Sequence, residues 1–112
     1  MTKNSITASF GAALAAGLIA CGSSVPPPVE ARAAAEGDVG VAAGLNAKSD
    51  NEAATYLKHA EDQIVEAKKL MESGDNERAT AVLKRAKADA ELSIQLAKEA
   101  ALKGQMAGVP AK

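Results

Sequence analysis

The chain reads as an all-α protein: an antiparallel, alanine-rich helical hairpin with a weaker third helix on its N-terminal side, elongated in shape. Three observations predict this. Two long segments carry a small residue at every seventh position, the heptad spacing of a helix seam. Gly74-Asp75 interrupts the pattern between them, and a connection that short makes the two helices antiparallel neighbours. Beyond residue 20, Tyr56 is the only aromatic side chain and Ala the dominant apolar one, so little area is buried per residue and the fold is expected to be thin.

The first twenty residues stand apart from this pattern. Lys3 forms a short positive region, and Ile6 to Ile19 form an apolar one that closes on Leu18-Ile19-Ala20-Cys21, the layout of a secretory signal peptide. The stretch is too short and too rich in Gly and Ala to cross a hydrocarbon core, which needs about 20 strongly apolar residues. Cys21 is the only cysteine, so an exported chain offers it no disulfide partner. The run resembles the bacterial lipobox. That resemblance implies cleavage after Ala20, with Leu18 and Ile19 flanking the site, and lipidation of Cys21 by a thioether-linked diacylglycerol, usually with an amide-linked third chain. Each buried methylene contributes about 0.8 kcal/mol, and two or three acyl chains exceed the marginal hold of one. A membrane, held through N-terminal acyl chains, is therefore the expected partner. Gly22 occupies the position where an Asp would resemble an inner-membrane retention signal, which points to the bacterial outer membrane, facing the periplasm.

Residues 21–28 read as the lipidated cysteine and a tether. Pro26-Pro27-Pro28 favour polyproline geometry at about 3.1 Å per residue, a short stiff spacer that lifts the domain off the headgroups. Pro28 also suits the first turn of a following helix. Residues 29–47 predict that helix, favoured by Ala31, Ala33, Ala34, Ala35, Ala42 and Ala43. Gly37, Gly40 and Gly44 oppose it by up to about 1 kcal/mol each, so it needs packing to exist. With Asp38 among them, these glycines read as helix weakening or local fraying and not as a small-residue packing motif.

Ser49 followed by Glu52 predicts a capping box that opens a helix over about 50–72. Its seam is Ala53, Leu57, Ala60, Ile64, Ala67 and Met71, alternating spacings of four and three. Gly74 suits a left-handed C-terminal cap, and Asp75 or Asn76 can cap the next helix. That helix, over about 76–103, repeats the seam through Ala79, Leu83, Ala86, Ala90, Ser93, Ala97 and Ala100. Val82, Leu92 and Leu96 fall beside it as a second apolar strip, available to the weak helix or to another subunit. Residues 104–112, with glycines and Pro110, predict a flexible tail, which bounds the helical domain at 29–103.

No constellation in this pattern carries chemistry. The single histidine, His59, stands among Lys58, Glu61 and Asp62 without the ligands a metal needs or the base and orienting acid a nucleophile needs. No enzyme activity and no catalytic, cofactor-binding or metal-binding residues are expected. Acids and bases alternate along the helices, with Glu66 and Lys69, and Glu91 and Gln95, at helical contact spacing. Without residues 1–20 the chain holds two more acidic than basic residues, which argues against nucleic acid as a partner.

Ala54-Thr55-Tyr56-Leu57, Ala60-Glu61, Ala67-Lys68-Lys69-Leu70, Gly74-Asp75, Ala79, Ala86 and Ala88-Asp89-Ala90 together resemble the small alanine-rich bacterial lipoproteins of domain of unknown function 4398. The likeness covers about residues 29–101 and implies a helical periplasmic module with no assigned activity. A weaker resemblance, to the alanine-zipper major outer-membrane lipoproteins, rests on the lipobox, the Ala heptads and the C-terminal Lys112. It departs at Gly74-Asp75, which breaks what that family builds as one helix.

The expected function is that of a non-enzymatic, lipid-anchored cell-envelope lipoprotein acting as a helical spacer or interaction module, with self-association or an envelope protein as further partner. Two alternatives accompany it. One is a small periplasmic binding protein for a hydrophobic or peptide ligand, using Val82, Leu92 and Leu96. The other is a zipper lipoprotein linked to peptidoglycan through Lys112.

Overall fold

The structure is a computed structural model that describes residues 24–108. Those residues form three α-helices and one short 3-10 turn, with no strand among them. Helix α1 spans Val29–Gly44, the 3-10 turn Ala47–Ser49, α2 Asn51–Glu72 and α3 Asn76–Ala107. The all-α hairpin with a third helix is thus the observed architecture.

The α2–α3 turn is built as its residues predict. Gly74 takes φ 81°, its amide donates to the Met71 carbonyl, and the Asp75 amide reaches back to Leu70 at 2.8 Å. This pair of bonds is a Schellman termination, whose left-handed residue is the glycine. The Asp75 carboxylate then receives the Arg78 amide, so one short segment ends α2 and caps α3.

At the other end the start signal lies one residue later than the capping-box spacing predicts. Asp50, and not Ser49, is the N-cap of α2: its Oδ1 accepts from the amides of Glu52 at 3.1 Å and Ala53 at 2.8 Å. Ser49 is taken up by the 3-10 turn that precedes it. Helix α1 ends at Gly44, earlier than the expected residue 47, and the left-handed residue beyond it is Asn46, with φ 62°. Asparagine tolerates that conformation better than most residues with a Cβ.

Ala53, Leu57, Ala60, Ile64 and Ala67 of α2 are buried, and so are Ala79, Leu83, Ala86, Ala90, Ser93 and Ala97 of α3. The predicted seam is therefore the actual one, with Met71 and Ala100 half-buried where it runs out. Helix α1 lies against both helices along the 31, 35, 39, 42 face. Near the α2–α3 turn, Ala35 packs with Ile64, Ala67, Val82, Leu83 and Ala86. Toward the other end, Ala42 packs with Ala53, Leu57, Ile94 and Ala97. This order makes α1 antiparallel to α2 and parallel to α3.

The second apolar strip does not hold together. Val82 is buried beneath α1, Leu96 is half-buried at the far cluster, and Leu92 is 40% exposed. Ile94, which packs in the far cluster with Ala42 of α1, is the buried residue instead. Helix α3 also continues through Gly104 to Ala107, beyond the expected limit at 103. At about 1.5 Å per residue its 32 residues span about 48 Å, against about 33 Å for the 22 residues of α2. The two start from one turn, so the last stretch of α3 outruns the hairpin.

Candidate functional site

The residues that carry the sequence's sharpest functional signal, Leu18, Ile19, Ala20 and Cys21, lie outside the described residues, as do Lys3, Gly22 and Lys112. What the structure places is the segment that follows them. The Val25 carbonyl accepts a 2.8 Å hydrogen bond from Asn76 Nδ2, at the first residue of α3. The Val29 and Arg32 amides donate to the Pro27 and Pro28 carbonyls, joining the prolines to the first turn of α1. Pro28 is the N-cap of α1, one position before the first-turn place expected for it. Residues 25–28 are thus seated at the base of the bundle, beside the α2–α3 turn, and line an open surface hollow with Glu30, Ala31 and Thr80.

The opposite end is built differently. A hollow of about 290 Å³ is lined by Leu45, Asn46, Ser49, Asp50, Ala97, Ala100 and Ala101, where the α1–α2 connection crosses α3. Beyond it α3 projects with Leu102 58% and Met106 75% exposed. Lys103 is held there by Glu99 at 2.7 Å, and that hydrogen bond raises its pKa above the usual lysine value.

Two ion pairs fasten α1 across the hairpin. Lys68 of α2 reaches Glu36 at 2.8 Å, and its hydrogen bond holds the Glu36 carboxyl below the ordinary value of 4.5. Lys87 of α3 lies 3.4 Å from Asp38 and also bonds Glu91 one turn further on. Its pKa is raised, first by Glu91 and then by Asp38. Sequence spacing within one helix does not reveal Glu36–Lys68 or Asp38–Lys87, because each joins two helices.

His59 stands on the exposed side of α2, edge-on to Tyr56 with ring centroids 6.0 Å apart. Its neighbours Lys58 and Asp62 pair with each other at 3.0 Å on the same exposed face. Among the described residues no cluster of His, Cys, Asp or Glu has the makings of a metal site. No described helix is long and apolar enough to cross a membrane. The groove between the hairpin and α1 is filled by Ala31, Ala35, Val39 and Ala42.

No family model matches the chain, and comparisons with curated proteins and with solved structures return no match.

Proposed function

We propose that the chain is a non-enzymatic, lipid-anchored protein of the bacterial cell envelope, in which a three-helix bundle serves as a spacer or interaction module. The observation that carries this reading is Leu18-Ile19-Ala20-Cys21 at the end of an apolar N-terminal stretch that begins after Lys3. The fold is compatible with it in a specific way. Residues 25–28 are seated beside the α2–α3 turn, so an anchor at Cys21 would attach to that end, and the C-terminal end of α3 lies at the other. A bundle with α3 about 48 Å long then sets a distance between the membrane and whatever meets the far end. Outer-membrane residence, suggested by Gly22, belongs to the same proposal.

The test is replacement of Cys21 by Ser in cells fed a labelled fatty acid. The parent chain is expected in the membrane fraction with label incorporated, and C21S in the soluble fraction without it. A C21S chain that stays with the membrane after high-salt washing overturns the proposal.

A further inference from the structure

We propose that α1 is a detachable strap, which leaves the α2–α3 hairpin as a unit while the hairpin stays folded, lengthening the link to the N-terminal residues and baring an apolar groove. Three independent features of α1 carry this.

The first is its intrinsic weakness. Gly37 and Gly40 stand inside the helix and Gly44 ends it, yet a Cβ added at any of the three meets nothing within 4 Å. All three are exposed and none has a positive φ. They serve neither a close approach nor a turn, and what remains is their effect on the helix: each shifts the local equilibrium toward the unfolded chain.

The second is how little α1 contributes to the core. Its buried residues are Ala35 and Ala42 alone, with Ala31 and Val39 half-buried beside them, while Val29 and Val41 face solvent. The hairpin contributes Leu57, Ile64, Val82, Leu83 and Ile94 to the same clusters, together with its alanines Ala53, Ala67, Ala86 and Ala97. The large side chains that are fully enclosed are all on one partner.

The third is that the polar fastening is exposed and hence sensitive to salt. Glu36–Lys68 and Asp38–Lys87 join α1 to α2 and to α3, and all but one of these four side chains are more than a third exposed. Such pairs are weak and screened.

When α1 opens and the hydrogen bond from Asn76 to the Val25 carbonyl releases with it, the 16 residues of α1 can stretch from about 24 Å as a helix to about 55 Å extended. The uncovered groove is lined by Leu57, Ile64, Val82, Leu83 and Ile94, so the docked strap keeps that surface closed. This inference concerns the bundle alone and stands whether or not Cys21 is acylated.

Hydrogen exchange on the full chain in detergent tests it, read separately for peptides within 29–44, 51–72 and 76–100. Amides of the middle of α1, around residues 35–42, are expected to exchange together and at least about tenfold faster than the α2–α3 seam. Raising salt from about 0.05 to 1 M should speed α1 and leave the seam unchanged, since the Debye length falls to about 3 Å. The double variant G37A/G40A should slow α1 exchange selectively, by about five- to thirtyfold, from the helix preference of two alanines over two glycines. Equal protection across the three helices, or an equal gain in all three in G37A/G40A, would show a single cooperative unit and overturn the proposal.

Discussion

The hydroxyl of Ser93 on α3 donates to the backbone carbonyl of Ala53 on α2 at 2.7 Å, and both residues are fully buried. A side chain as short as serine reaches a neighbouring helix's backbone only where the two helices pack closely, which is what the alanines of the seam permit. The carbonyl has two lone pairs, so this bond adds to the one it makes within its own helix.

Ser93→Ala is therefore expected to cost little, about 0.5–1.5 kcal/mol, because it removes one hydrogen bond and leaves no buried donor behind. Ser93→Leu is expected to cost more, about 1–3 kcal/mol or above, since the larger side chain must push the helices apart. Thermal unfolding followed by circular dichroism compares them. A leucine variant as stable as the parent would show that the seam is looser than the Ser93–Ala53 bond implies.

The same contrast applies at the larger positions. Leu57→Ala and Ile64→Ala each delete a buried aliphatic side chain, typically at about 2–5 kcal/mol, a large share of the stability of so small a core. Ala60→Leu and Ala86→Leu add volume at fully buried sites and should destabilise as well. Urea titration gives both, with the alanine variants expected to unfold at the lowest denaturant. A rise in the melting temperature of a monomeric Ala60→Leu chain would count against the close-packed seam.

Asp50 and Ser49 make opposite predictions from adjacent positions. Asp50→Ala removes a side chain that satisfies two orphan amides of α2 and should cost about 1 kcal/mol. Ser49→Ala should fall within about 0.5 kcal/mol of the parent. If Ser49→Ala proved the more damaging, the cap would lie where the Ser49 and Glu52 spacing places it.

The docking of α1 should depend on pH at both extremes. Glu36 is held below 4.5 in the folded chain, so its contribution is complete above that value and is lost as pH falls through the lower folded one. Lys87 is raised above 10.5, so its contribution is complete below that value and is lost as pH rises through the higher folded one. Part of the Lys87 effect stays within α3, because Glu91 is its first partner. Glu36→Gln should flatten the acid side of α1 hydrogen exchange without altering the seam. An unchanged acid limb in Glu36→Gln would assign that limb to another carboxylate.

The hairpin was legible because its information is local and repeated. Ala53, Leu57, Ala60, Ile64 and Ala67 mark one helical face by spacing alone, and Gly74 marks a turn that L side chains seldom take. Boundaries were less legible where two signals compete. Ser49 and Asp50 both cap well, and the 3-10 turn over Ala47–Ser49 decides between them by aligning Asp50 with the free amides. Gly104 argued for an early end to α3, yet the helix runs on to Ala107.

The sequence by itself determined the helical class, the α2–α3 seam, the turn at Gly74 and the N-terminal run ending in Cys21, since each follows from residue type and near-neighbour spacing. Only the tertiary structure decided which flank of the hairpin α1 covers, that Ile94 and Val82 are buried while Leu92 is not, and that Glu36 meets Lys68 and Asp38 meets Lys87. The reason is physical. In α1 the alanines are spread around the helix and glycines dilute them, so its pattern fixes no strong apolar face. Its place is set by the groove that the other two helices offer, through contacts between residues far apart in the chain.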